Sequence, residues 1–370
     1  MKQLWVVVGF LICSNVSAYT YDLPYDMQFD IRGYLGWKQI FSTVDYDSVP
    51  SEPELGLSTS LKVTDRLNIF NQFKYGTSVN SVFVYNQLAY TPYIPIDDFE
   101  LTLKGGKLRY DNTLYNITRI NPRTRQGVFQ PQSIYWNTLA QTITSGAGVG
   151  FDMKYKNWST SYVIDKQTIV NPTKESQAWT TKTLNNFSSR FGGHQTASIE
   201  YDMPEQNLRF KTSWNKVKFN ITQLDAIKLG TPGTMTSGAE YFTAGIEWAL
   251  DDWTFSWEGQ TTKRDGVNWS NTQKLAYGNS FTVAYDIDNN FTARINYNRY
   301  HTSSNVALPQ QKYNHDLNLG LDWHSGQWMA NVEAHWIQGG RIVDANNYNA
   351  NPEDYKNFYV FGMNLVYFFE

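Results

Sequence analysis

The sequence predicts an all-β protein, a transmembrane antiparallel β-barrel of sixteen strands, and three observations predict it. Apolar and polar residues alternate with period two from Met27 to Phe369. Aromatic side chains are unusually abundant, with 25 Tyr, 21 Phe and 13 Trp, which calls for a place where amphipathic rings are useful. No apolar run after Ala18 approaches the ~20 residues that a spanning helix needs, so any membrane crossing must use strands.

The chain opens with a segment of different character. Lys2 supplies a positive start, residues 4–12 an apolar core and Val16, Ser17 and Ala18 a small-residue cleavage site, the pattern of a secretory signal peptide over residues 1–18. Cys13 is the only cysteine and lies inside this leader, so the exported chain has neither disulfide nor thiolate chemistry. Bulky Ile12 before Cys13 argues against lipid attachment there. Loss of Lys2 takes the formal net charge from -3 to -4, which speaks against a nucleic-acid partner.

Residues 19–370 show no long linker or change of composition and read as one domain. Its first strand sets the pattern. Met27, Phe29, Ile31, Leu35 and Trp37 alternate with Gln28, Asp30, Arg32, Tyr34 and Lys38. Lipid forces every backbone amide to find a partner within the protein, so a spanning sheet closes on itself, apolar side chains outward and polar ones toward a lumen. Similar segments follow at 55–63, 67–75, 82–90, 99–104, 149–155, 158–164, 196–201, 208–214, 242–250, 253–260, 275–285, 291–297, 315–323, 328–336 and 359–369.

Connections alternate in length. Short turns are expected at 65–66, 156–157, 251–252, 286–290 and 324–327, with longer ones at 91–98 and 202–207, and between them run longer loops such as 166–193 and 337–357. The 370 residues less the 18 of the leader, shared among sixteen strands, leave about 22 per strand, enough for the ~10 that cross a membrane plus a connection. A barrel of sixteen strands leaves a channel where one of about eight would be filled by side chains. Trp37, Tyr75, Tyr90, Tyr155, Trp158, Tyr285, Trp323, Trp328, Trp336 and Tyr367 fall on the outward parity near strand ends, as an interface girdle requires.

Two stretches carry a resemblance. Phe361, Met363, Leu365, Tyr367 and Phe369 occupy alternate positions and resemble the closing strand of bacterial outer-membrane proteins, with Glu370 a one-residue departure from the usual terminal Phe. Between the fifth and sixth strands, Gly105, Gly106, Lys107, Leu108, Arg109 and Tyr110 lead to Arg119, Pro122, Arg123 and Arg125, then to residues 130–135, ending at Tyr135. This stretch resembles the trimeric bacterial porins, especially the phosphate-selective and related types, in which a Gly-Lys/Arg strand end enters an Arg- and Pro-containing third loop folded into the lumen. The resemblance implies an outer-membrane location among lipid and lipopolysaccharide, a homotrimer, and passive diffusion of small hydrophilic solutes.

On that reading Lys107, Arg109, Arg119, Arg123, Arg125 and Tyr135 form the pore constriction, where rings of Arg or Lys favour anions. Outside the pore the same charges would be a solvated face. Arg32, Lys62, Lys74 and Lys104 extend the field along the lumen wall, although Asp30 and Glu100 share their parity. On later strands Asp152, Glu200, Glu247, Glu258, Asp316, Asp322 and Glu333 point inward beside Lys154, Arg209, Lys211 and Arg294. A channel selective for phosphate or oligosaccharides is the alternative, with Tyr110, Tyr115, Tyr135 and Trp136 as stacking platforms. An outer-membrane enzyme is the third reading, and the five histidines, scattered over strands and loops, do not favour it. His335 and Glu333 are expected to form an ordinary hydrogen-bonded pair. Gly146–Gly150 lacks a following helix or Lys-Ser/Thr and reads as a strand start, and the sequence implies no cofactor and no metal.

Overall fold

The computed structural model describes residues 19–23, 27–43, 52–76, 83–111, 113–114, 144–166, 169–170, 187–223, 234–266, 275–302, 313–339 and 356–369. The leader lies outside them. In chain order the strands are β1 Tyr19–Leu23, β2 Met27–Ser42, β3 Glu52–Thr64, β4 Leu67–Gly76, β5 Phe83–Tyr90, β6 Phe99–Arg109, β7 Thr144–Tyr155, β8 Trp158–Lys166 and β9 Ile169–Val170. They continue as β10 Phe187–Met203, β11 Leu208–Gln223, β12 Thr234–Leu250, β13 Trp253–Gly266, β14 Leu275–Asp286, β15 Phe291–Thr302, β16 Tyr313–Ser325, β17 Trp328–Gln338 and β18 Asn357–Phe369. Each of the sixteen segments expected from the alternation is a strand; β1 and β9 are short additions to the same sheet.

All pairings are antiparallel between chain neighbours, from β2 through β8, across to β10 and on to β18. The barrel closes where β18 pairs with β2, from Val360 opposite Ser42 to Phe369 opposite Gly33. Gly33 is needed there, since a Cβ on it would come within 2.3 Å of the Phe369 ring. Below that point β1 pairs with β2, Tyr19 opposite Ile31. Sixteen strands therefore form a closed barrel without a free edge, the arrangement that lipid demands.

The seven connections at one end are short, among them the two-residue turns at Asp65, Lys156, Asp251 and Gly326; the last three take the left-handed conformation that tight reversals use. The other end carries the long connections.

Burial follows the inside-out pattern. On the outward parity Val149 is 61% exposed, Phe242 56% and Leu319 57%, whereas inward Glu258 is 2% and Asn298 0% exposed. The outward aromatic residues cluster by the short turns, with ring centroids 4.4 Å apart for Trp158 and Tyr201, 4.6 Å for Trp253 and Tyr285, and 4.9 Å for Trp328 and Tyr367. Among the described residues no helix is long and apolar enough to cross a membrane.

Candidate functional site: the lumen wall and the root of the third loop

Past Arg109 the chain leaves the wall and crosses the lumen. Tyr110 is buried, donates its hydroxyl to Asp165 on β8 and meets the His194 ring of β10 edge-on at 3.8 Å. Burial and the Asp165 carboxylate push its phenol well above the ordinary tyrosine range, so it stays a neutral donor. Tyr110 is thus consumed by anchoring and does not serve as the stacking platform expected of it.

One residue on, Asp111 pairs with Lys211 of β11 and accepts a 3.2 Å bond from the Ser198 hydroxyl of β10. Leu114 has travelled further: its amide donates to Glu258 of β13 at 2.7 Å, and its side chain sits on Gly245 of β12, where a Cβ would lie 2.7 Å from Leu114 Cγ. From β6 the connection therefore reaches β8, β10, β11, β12 and β13 in succession, which is the inward course of a third loop.

Lys211 holds this root. It bridges Asp111 and, at 3.1 Å, Glu200, and it is almost fully buried. Replacing Lys211 with Met leaves two carboxylates facing each other and removes the latch, a loss on the order of 3 kcal/mol locally. The expected outcome is noisier single-channel current with excursions above the native open level, restored by Lys211→Arg; traces indistinguishable from native would show that the latch is immaterial.

The expected lumen-wall cations stand as follows. Arg32 is inward and exposed. Lys62 reaches the nearby turn, pairs with Asp65 at 2.6 Å and holds that exposed carboxyl below its usual range. Lys104 pairs with Asp152 at 2.5 Å. Lys74 pairs with Gly56 in the ladder, and its side chain lies outside the described residues. Further inward pairs are Lys38–Glu54 at 3.6 Å and Arg209–Glu247 at 3.0 Å. Apart from Arg32, these described side chains stand against carboxylates, and the wall supplies little net positive field.

The expected constriction divides. Lys107 stands opposite Asn86 and Ala147, on the outward row of Leu103 and Gly105, so it departs from its expected place in the passage. The physical reason is that β6 continues to Arg109: the strand's alternation runs on through Gly105 and Gly106, and odd positions still face out. Arg109 pairs with Thr144 through its backbone, and its side chain lies outside the described residues, as do Arg119, Arg123, Arg125 and Tyr135.

Sequence reasoning missed one assembly. On β15–β17, Arg294 donates through Nε to Asp322 at 2.6 Å and through its terminal nitrogen to Asp322 at 3.1 Å and Glu333 at 2.8 Å. His335 places Nδ1 2.9 Å from Asp316 and Nε2 3.4 Å from Glu333, the pairing expected of it with a second carboxylate added. Asn331 donates to Asp322 at 2.5 Å and Asn298 to Asp316 at 3.5 Å, which joins the charges to a ladder of Asn296, Asn318, Ser280 and Thr282. Nearer the short turns the lumen is more open: Arg32, Glu100, Lys154 and Asp286 are exposed, and a cavity of about 650 Å³ is lined by Asp98, Phe99, Glu100, Lys154, Lys156 and Asn157.

A closed sixteen-stranded antiparallel barrel with an inward third loop is the fold of the bacterial outer-membrane porins. Solved structures of that fold match nearly the whole chain. An anion-selective porin from Comamonas acidovorans shares 11% identity at a TM-score of 0.64, over 93% of this chain and 100% of its own. OmpF of Salmonella typhi shares 11% at 0.61, over 92% and 98%. OmpT, an outer-membrane protein of Vibrio cholerae, shares 12% at 0.60, over 94% and 100%. No protein-family model matches the chain, and no curated protein matches it.

Proposed function

We propose that the chain is an outer-membrane porin that lets small hydrophilic solutes and ions diffuse down their gradients, with no catalytic step. Residues 1–18 direct export and are removed, and the barrel works as a homotrimer. The observation that carries this reading is the inward course from Tyr110 to Leu114, anchored on β8, β10, β11, β12 and β13 inside a polar-lined barrel. A connection so rooted narrows the passage, and Arg109, Arg119, Arg123, Arg125 and Tyr135 belong to it or to its threshold. Because the wall's own cations are balanced by carboxylates, any anion preference falls to these arginines.

Neither of the two buried histidines among the described residues is arranged as a general base beside a nucleophile: both ring nitrogens of His335 face carboxylates, Asp316 and Glu333. His194 touches the Thr196 hydroxyl at 3.2 Å, but Asp165 accepts from the His194 backbone amide and from Tyr110, leaving the imidazole without the orienting carboxylate of a catalytic triad. The test is planar-bilayer reversal potential under a salt gradient, for the native chain and for Arg119, Arg123 and Arg125 changed together to Gln. The expected result is a fall in the anion-to-cation permeability ratio, since rings of arginine favour anions. An unchanged ratio would remove the constriction assignment. Saturable block of the native current by inorganic phosphate or maltooligosaccharide would replace the general pore by a substrate-selective channel.

A further inference from the structure

The outward rows are apolar through the middle of the barrel and change at one edge only. Among the described strand side chains, those both outward-facing and charged are Lys107 of β6, Lys216 of β11, Glu240 of β12, Lys263 of β13 and Arg299 of β15. Four are cations, and all five lie in the halves of their strands nearer the long connections. At the short-turn edge the corresponding rows carry aromatic rings. A cation facing away from the lumen beside an apolar belt is costly in hydrocarbon and needs an anion at headgroup depth.

The densest part of this collar spans three neighbouring strands. In the ladder Arg299 stands opposite Asn279 of β14 and His315 of β16, and His301 stands opposite Tyr277 and Tyr313. Directly opposed side chains start about 5 Å apart, so one guanidinium and two imidazoles are neighbours on one outer face. Arg299 and His301 are exposed, and the Tyr297 hydroxyl lies 2.7 Å from His315 Nδ1 and fixes that ring. Among the described outward residues of β14, β15 and β16 there is no carboxylate to answer these groups. The one outward carboxylate among the described strand side chains, Glu240, sits on β12 and pairs with Lys216 at 2.8 Å.

We propose that Arg299, His301 and His315, framed by Asn279, Tyr277 and Tyr313, seat the phosphomonoester headgroup of a membrane lipid on the outer wall of the barrel. Arginine grips phosphate through two parallel hydrogen bonds, the imidazoles add donors from either side, and the tyrosines place amphipathic rings at the depth where headgroup meets acyl chain. The inference rests on the membrane-spanning reading but not on what the pore conducts.

The experiment is native mass spectrometry of the full barrel in detergent, titrated with phosphatidic acid or phosphatidylcholine, for the native chain and for Arg299→Gln/His301→Asn/His315→Asn. Native protein is expected to retain phosphatidic acid about tenfold more tightly than the triple variant, and to prefer it to phosphatidylcholine. Both proteins should conduct alike in bilayers, since the changed residues face outward; this shows that the variant is folded. Should it not fold, Asn279→Asp, which adds one negative charge to the seat, must weaken retention in the same way. Equal retention by native and variant, equal retention of the two lipids, or displacement of the lipid by an equal concentration of inorganic phosphate would each overturn the proposal.

Discussion

Arg294→Leu is expected to lower the stability of the folded barrel by about 3–5 kcal/mol, the cost of removing one partner from a buried charge pair. Arg294 is the cation that Asp322 and Glu333 share, and both carboxylates are buried. Without it Asp322 keeps Asn331 and Glu333 keeps His335, while Asp316 also draws on His335. Two buried carboxylates, Glu333 and Asp316, would then share one imidazole, and Asp322 would keep only a neutral amide, all on the adjacent strands β16 and β17. The temperature at which the barrel loses its heat-resistant electrophoretic mobility should fall by several degrees. Arg294→Lys, which retains the charge but not the planar fork, should fall between. A leucine variant melting with the native protein would mean that water or other groups already satisfy the carboxylates.

Leu319→Arg is expected to cost about 2–4 kcal/mol, the penalty for an arginine on the lipid face near the bilayer midplane. Leu319 is 57% exposed on the outward row of β16, between Ile295 and Ala334, and it is far from any connection. The matched inward change, Ser60→Arg, enters a half-exposed position that faces Asp30 across the ladder and should leave stability nearly unchanged. Denaturant titration of both variants in lipid vesicles distinguishes them. Equal losses would imply that the two faces meet similar surroundings.

How much of this was legible in the sequence depended on where one face is oily and the other wet. Through the apolar belt the period of two places every strand, because a one-residue slip would turn leucines inward and carboxylates to lipid. Beyond the belt the oily residues no longer keep to the outward row and the signal is lost: on β11 Lys216 faces out while Val217 is buried inward. β10 begins at Phe187, not at the expected 196, and β11 runs to Gln223, past the expected 214, through Lys216, Lys218 and Asn220. β6 outruns its expected end at 104 for a related reason: Gly105 and Gly106 carry no side chain to alternate, so the pattern stops before Lys107 although the ladder still holds it.

The wall chemistry was legible as parity and illegible as pairing. Arg294, Asp322 and Glu333 each read as inward, yet the partners lie 28 and 39 residues from the arginine and meet only through the registers of β15, β16 and β17. The latch of Asp111 on Lys211 spans 100 residues and depends on the connection crossing the lumen, which no local pattern encodes.

The alternation of surroundings along a strand is the claim on which everything else depends, and single-cysteine accessibility reads it directly. Cys13 is the sole cysteine, so replacing it with serine leaves a clean background. Cysteine is then placed in turn at Leu57, Ser58, Ser60 and Leu61 on β3, and the protein in vesicles is treated with a charged, membrane-impermeant thiol reagent. The account predicts that positions 58 and 60 react and that 57 and 61 do so only after the bilayer is dissolved in detergent. Uniform reactivity along the strand, or labelling at 57 and 61 with protection at 58 and 60, would contradict it.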